Sequence, residues 1–274
     1  MKNTVSDVEE PFSAEVVLGV IRDSHLQQCQ YDPEAEPEAD LSFNSTIEEW
    51  RYACDLVAWK PLGRAMNKWF QINRTDEEWY KVLEPSEKQT LFGVCNLIAS
   101  TAKRPAIVPL QIFGNKCLDA GVFVALRTSL KNSGVPISSL KPSTQLHPWL
   151  LQYWGELSDT VGKLAPGVLP PVDIEETFIQ RLSYWLVGLG ILFWLVTLLT
   201  SLFWEHDGIN SFAVTLFTSG FILMIVTSRM KPKRVSFDKL ETFGDICRLI
   251  SKSLTNMDTH NKSLKSGTPK SGAP

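Results

Sequence analysis

The sequence predicts an all-α protein in which soluble helical N-terminal domains precede a two-helix transmembrane hairpin. Two apolar runs predict the hairpin: Leu182–Trp204 and Phe212–Ser228 contain no charged residue, and only seven residues separate them. As helices these runs would be roughly 25–35 Å long, enough to cross a hydrocarbon core of about 30 Å. The rest of the chain has helical apolar spacing without clear strand alternation, which favours helices throughout.

The charges that flank the two runs predict the orientation of the hairpin. Arg229, Lys231, Lys233 and Arg234 follow the second run, whereas the connecting residues 205–211 contain no lysine or arginine. The positive-inside rule therefore predicts a two-pass integral membrane protein with both termini cytoplasmic, in a cell or inner membrane. We expect the four basic residues to set this topology and to lie close to lipid headgroups.

Composition restricts the partners and the cofactors. The 274 residues have a formal net charge of −3, which argues against nucleic acid as a partner because nucleic-acid-binding domains are usually basic. The five cysteines are scattered and form no C-x-x-C pair, which favours reduced, buried thiols over a zinc site. We therefore expect no metal and no cofactor.

The first helical unit is predicted over residues 1–104. Helical spacing begins at 13–28, and Ser45 or Thr46 can cap the next helix, which Pro61 bends or ends. Thr75 with Glu78 forms the capping-box pattern of a short third helix. A further helix is expected over 90–102.

The remainder divides at changes of composition. A second helical unit and its linker are predicted over 105–175, with an extended connector at 103–113, a helix over 115–132 closed by Gly134, and another capped by Ser143 or Thr144. The hairpin occupies 182–228. A basic juxtamembrane segment with an amphipathic helix follows at 229–254, and a polar, disordered tail is expected at 255–274.

Two segments far apart in the chain resemble each other. Residues 90–100 read TLFGVCNLIAS and residues 242–251 read TFGDICRLIS, so that, with one gap, both contain Phe-Gly followed by Cys-x-Leu-Ile. In each, a threonine can cap a short helix. This similarity indicates either two copies of one small helical unit, the second interrupted by the predicted transmembrane hairpin, or two ordinary capped helices that are alike by chance.

The stretch 134–146 (GVPISSLKPSTQL) resembles the loop after the first helix of an acyl-carrier-type four-helix bundle, and 242–250 (TFGDICRLI) resembles the last helix of that family. The family attaches phosphopantetheine to the serine of an Asp-Ser-Leu motif at the start of its second helix. The corresponding region here, 152–159, reads QYWGELSD and has no such motif. The resemblance therefore implies the shape of a carrier-like bundle that serves as a docking module, without carrier function.

No nucleotide-binding loop, nucleophile elbow or zinc-hydrolase motif occurs in the sequence, and no catalytic residues are identified. We expect a membrane-anchored, cytoplasmic interaction or scaffold module rather than an enzyme, with a protein partner and the lipid bilayer as its contacts. It would also be able to form a homo-oligomer. Two alternatives stay open: an oligomerising effector that perturbs membranes, and an enzyme of unrecognised type.

Overall fold

The computed structural model describes residues 8–175, 178–201, 218, 221 and 233–266. The chain divides into two compact units, one comprising 1–173 and 236–274 and the other comprising 174–235. The helices of the described residues are α1 (Ala14–Gln28), α2 (Ile47–Ala53), α3 (Trp59–Phe70), α4 (Asp76–Leu83), α5 (Leu91–Ala99), α6 (Leu118–Asn132), α7 (Leu146–Leu164), α8 (Phe178–Ser201) and α9 (Phe243–Ser266).

The prediction of an all-α fold is wrong, because the helices are joined by short paired strands. The strands are β1 (Glu9–Pro11), β2 (Lys103–Pro105), β3 (Leu110–Ile112), β4 (Asn115–Cys117), β5 (Asp173–Glu175) and β6 (Arg234–Ser236). They form three two-stranded sheets, β1 with β2, β3 with β4, and β5 with β6. Each strand has three residues, too few to produce a recognisable alternation of apolar and polar side chains.

The predicted transmembrane hairpin over 182–228 is also overturned. Among the described residues, no helix is long and apolar enough to span a membrane. Helix α8 starts at Phe178, ahead of the predicted first span, and of the second span only Thr218 and Phe221 are described. A crossing needs about 20 consecutive, predominantly apolar helical residues. The predicted two-pass topology, with both termini cytoplasmic at a cell or inner membrane, is therefore wrong for the described chain, while the bilayer as a partner stays a prediction.

Helices α1 to α5 enclose the first core of the larger unit. Val17 and Ile21 of α1 pack with the apolar face of α5, where Val94 and Ile98 have no exposed surface. Trp79 of α4 is buried against α3 at Gly63, where a side chain would overlap the indole. This close approach is possible because glycine has no Cβ.

Helices α6, α7 and α9 enclose a second core in the same unit. Leu126 and Leu130 of α6 lie fully buried, α6 packs against α9, and α9 contributes the buried Phe243 and Ile250. The helix that was predicted to begin at 115 begins at Leu118, because residues 115–117 form strand β4. Gly134 follows the helix at φ +81°, so the prediction that it closes α6 is confirmed.

The two helical groups are built on the same backbone pattern. In the first group, the start of α2 is tied to the start of α5: the N–H of Ile47 donates to the carbonyl of Gln89 (2.9 Å) and the N–H of Leu91 to the carbonyl of Ser45 (2.9 Å). In addition, the Oγ of Ser45 accepts from a backbone N–H three residues earlier (2.9 Å). These bonds fix where both helices begin.

The second group repeats these bonds between α7 and α9. The N–H of Leu146 donates to the carbonyl of Glu241 (2.8 Å), the N–H of Phe243 donates to the carbonyl of Thr144 (3.2 Å), and the Oγ1 of Thr144 accepts from a backbone N–H three residues earlier (2.9 Å). Each bond has its counterpart in the first group at the matching position. The resemblance between residues 90–100 and 242–251 thus coincides with equivalent places in two similar helical arrangements.

The structural match aligns the two segments without the gap that the sequence comparison used. Thr90 falls on Thr242, and the two Phe-Gly pairs are therefore one residue out of step. The matched buried pairs are Leu91 with Phe243, Val94 with Ile246, Cys95 with Cys247, and Ile98 with Ile250. Of the two predicted threonine caps, the described residues form the one in the second group, where the Oγ1 of Thr242 accepts from the N–H of Asp245 (3.3 Å).

Candidate interaction site

The most unusual surface feature is a β-hairpin that joins the two helical groups. Strands β3 and β4 are antiparallel, Ile112 lies opposite Asn115, and Phe113-Gly114 forms the turn. Both turn residues have positive φ, +48° for Phe113 and +83° for Gly114. This is the pattern of a type I′ turn, whose twist matches that of the flanking strands.

Phe113 is an unfavourable residue for this position on two counts. Type I′ turns favour Asn-Gly, because asparagine and glycine tolerate the left-handed region, whereas a bulky residue there is an outlier that costs about 1–2 kcal/mol. Its side chain is also fully exposed (101 %). Among the described residues, no core contact accounts for the aromatic ring, and the turn itself disfavours it.

The residues that precede the hairpin are held in place by close packing and hydrogen bonds. The preceding connector packs so closely on α6 that a Cβ at Gly121 would overlap the carbonyl of Val108, and the N–H of Ala106 donates to the carbonyl of Val8 (2.8 Å). Next to it, the guanidinium of Arg104 donates to the carbonyls of Lys163 and Leu164 at the end of α7 (3.1 Å each). The tip is therefore presented from a rigid support.

A polar cluster around α7 is the second candidate. The indole N–H of Trp69 donates to the carboxylate of Asp159, and the ammonium of Lys163 lies 2.8 Å from the same carboxylate and 2.6 Å from the carbonyl of Trp69. The Lys163 nitrogen also lies 5.9 Å from the centre of the Trp69 ring, a cation–π distance. A cavity of about 140 Å³ beside this cluster is lined by residues of α1 and α7, among them Asp23, and by Tyr31 and Trp69.

The groups of this cluster are engaged in holding helices together. Burial raises the pKa of Asp23 to about 6, although the N–H of Gly167 donates to its carboxylate (2.7 Å) and opposes that shift. Lys163 and Asp159 neutralise each other and hold α7 to the end of α3. Among the described residues, no group of histidine, cysteine and carboxylate side chains is placed to hold a metal ion. The arrangement offers neither an activated nucleophile nor an oxyanion site.

Three of the five cysteines, Cys54, Cys95 and Cys247, are buried, whereas Cys29 and Cys117 are partly exposed and depart from the predicted burial. All five are free thiols. Burial raises the pKa of Cys54, Cys95 and Cys247 to about 12, so these thiols stay protonated and unreactive at neutral pH. His25 is buried rather than solvated, with its Nε2 3.0 Å from the carbonyl of Glu36 and 3.4 Å from the Sγ of Cys29.

The four basic residues predicted to lie near lipid are only partly described. Lys233 and Arg234 lie at the start of β6, where the N–H of Lys233 donates to the carbonyl of Glu175 (2.9 Å) and its ammonium pairs with the carboxylate of that residue (3.3 Å). Arg229 and Lys231 fall outside the described residues. The lipid-proximal role of the four residues stays a prediction.

Sequence reasoning missed the hairpin, and one signal could have found it. Gly114 follows two residues with strand propensity, Ile112 and Phe113, and a glycine directly before a second short strand is typical of a tight hairpin. Because the preceding residue is phenylalanine, the turn lacks the Asn-Gly pair that usually identifies such a hairpin. Comparisons with protein-family models, with curated proteins and with solved structures gave no match for this chain.

Proposed function

We propose that the chain is a protein-interaction module whose contact element is the hairpin 110–117. The observation that carries the proposal is Phe113, a fully exposed aromatic ring at the tip of a tight turn that its backbone conformation disfavours. Exposed aromatic anchors are the residue type that most often dominates the energy of protein interfaces. The unfavourable choice of residue is explained if the ring is buried in a complex.

Two further observations favour an interaction module over an enzyme. Lys163 and Asp159 of the polar cluster around α7 are satisfied by one another and by the carbonyl of Trp69, which favours a structural role over one toward a substrate. The two helical groups provide a rigid scaffold, and the hairpin lies in the connection between them. The resemblance to a carrier-like bundle without its serine agrees with a docking role.

Site-specific photo-crosslinking tests this proposal in the full-length chain. A benzoyl-phenylalanine at position 113 should give crosslinked protein adducts in cells of the source organism. The matched control places the same probe at Tyr52, another exposed aromatic (75 %) in the first helical group. Adducts that form at 113 and not at 52 support the proposal, whereas equal adduct formation, or none at 113, contradicts it.

A further inference from the structure

An apolar groove lies beside the base of the hairpin. Its volume is about 620 Å³, and its apolar lining comes from α1, the connector, the ends of α6 and α7, and the middle of α9: Val16, Ile107, Pro109, Leu118, Leu164 and Leu254. The groove is open to solvent, and nothing in the described chain fills it. An aromatic side chain entering it would exchange water for contact with these apolar residues.

The charges at the groove and at the hairpin are complementary. Glu15 lies exposed at the edge of the groove, pairs with no cation among the described residues, and has its pKa lowered by hydrogen bonds from its own backbone and from Ser13, so it is ionised at neutral pH. Glu10, also at the groove, is neutralised by Arg104 (2.7 Å). On the hairpin, Lys116 is exposed and has no carboxylate partner among the described residues.

We propose that the groove receives the hairpin tip of a second copy of this chain, so that Phe113 of one protomer enters the groove of its partner and Lys116 approaches Glu15. This inference rests on the proposed function, because it names the partner of the same hairpin. The ring is apolar, like most of the groove's lining, and Glu15 and Lys116, which have no ion-pair partner within the described chain, have opposite signs.

The position of the two surfaces favours a closed dimer over an open chain of copies. Ile107 and Pro109 line the groove, and the hairpin begins at the next residue, Leu110. The tip lies three residues further on, about 10 Å at strand spacing. Because donor and acceptor surfaces adjoin, a single two-fold axis lets each protomer insert its tip into the groove of the other. Both tips are then used, and the assembly stops at two.

Exchange of the two charges provides the test, read by sedimentation velocity of the full-length chain over a concentration series. The wild type should form a discrete dimer. Glu15→Lys and Lys116→Glu should each raise the dissociation constant by about tenfold, because each homodimer then contains two like-charge contacts. Phe113→Ala should raise it by about a hundredfold, since two buried rings are lost per dimer.

Mixing the two charge variants makes the test specific. In the heterodimer, Lys116 of the Glu15→Lys protomer meets the unchanged Glu15 of its partner. The two substituted side chains, a lysine at position 15 and a glutamate at position 116, meet each other at the second contact, so both contacts are again attractive. An equimolar mixture should therefore recover a dissociation constant close to that of the wild type. The matched controls are Glu77→Lys, in the first turn of α4 as Glu15 is in α1, and Lys88→Glu, which is exposed elsewhere.

The outcomes separate this inference from the proposed function. A wild type that stays monomeric up to its solubility limit, a mixture that does not recover, or controls that weaken the dimer equally would each overturn the self-association. If position 113 nevertheless crosslinks to a different protein, the hairpin is still the contact element and only its partner was misidentified. Circular dichroism of every variant shows whether the fold is retained.

Discussion

Replacing Phe113 with asparagine should stabilise the folded chain while abolishing its interaction. Phe113 has φ +48° in a type I′ turn, a conformation that a residue with a bulky side chain adopts at a cost of about 1–2 kcal/mol. Asparagine is the preferred residue at this position when glycine follows. We therefore expect Phe113→Asn to raise the free energy of unfolding by about 1 kcal/mol, or about 2–4 °C in Tm.

Urea unfolding followed by tryptophan fluorescence measures this effect. The protein should be dilute, because association would add its own stabilisation to the wild type. Phe113→Ala is the matched control: alanine removes the ring but retains a Cβ, so it stays strained and should unfold within about 0.5 kcal/mol of the wild type. The difference in free energy of unfolding between the asparagine and alanine variants measures the cost of the strained backbone conformation at position 113.

The reasoning fails if Phe113→Asn is no more stable than Phe113→Ala, or is less stable than the wild type. The first result would mean that the turn does not strain residue 113. The second would mean that the ring stabilises the monomer through a contact of its own. In either case the position would no longer require an external partner to explain its phenylalanine.

Other predictions concern the scaffold that supports the hairpin. Burial raises the pKa of Asp23 to about 6 in the folded protein, whereas in the unfolded chain this carboxyl loses its proton near pH 4. Because the folded state binds the extra proton between these values, the free energy of unfolding should fall as the pH rises from about 4 to 7. Asp23→Asn should remove this dependence on pH of the free energy of unfolding, measured with urea. At pH 7.5 it should stabilise the protein by about 1–2 kcal/mol, a value reduced for the partial exposure of the carboxylate. A pH dependence equal to that of the wild type would contradict this. Arg104→Ala should lower the free energy of unfolding by about 2 kcal/mol, because two helix-end carbonyls lose their donor and Glu10 loses its ion-pair partner, and Arg104→Lys should recover only part of this. In the native protein at pH 8, Cys95 and Cys247 should resist alkylation while Cys117 reacts first, as mass spectrometry of iodoacetamide-treated protein would show; early modification of either buried thiol would refute the packing.

Local signals in the sequence predicted local structure well. The capping box at Thr75 is confirmed: its Oγ1 accepts from the N–H of Glu78 (3.2 Å), whose carboxylate in turn accepts from the N–H of Thr75 (2.8 Å). Of the two caps considered for α2, the structure uses Thr46 with Glu49. These predictions succeed because a cap depends on three or four neighbouring residues.

Helix boundaries depended on context that the sequence does not contain. Pro61 was expected to bend or end a helix that starts near residue 47, yet α2 ends at Ala53 and Pro61 lies in the first turn of α3. Proline is tolerated there because the first N–H groups of a helix have no intrahelical partner. Ser143 and Thr144 looked like caps, but α7 begins after Gln145, and the hydroxyl of Thr144 bonds the preceding loop instead.

The larger errors came from inferring the architecture of the chain from its composition alone. Apolar length alone predicted two membrane spans, a conclusion that the described helices do not bear out. The hairpin was missed for the opposite reason, because its strands have three residues and its turn contains phenylalanine where asparagine is usual. A residue that violates the local preference is often functional, so the failure of the sequence rule at 113 is itself informative.

The most direct measurement of the central claim is ¹⁹F NMR of the full-length chain with 4-fluorophenylalanine at position 113 and a soluble paramagnetic relaxation agent. In dilute protein the signal should broaden strongly, as expected of a fully exposed ring. As the protein concentration rises through the dimer dissociation constant, the resonance should shift and its broadening by the relaxation agent should decrease. In the Glu15→Lys variant, the same change should require a higher protein concentration. A ring that stays equally exposed at every concentration would contradict the account.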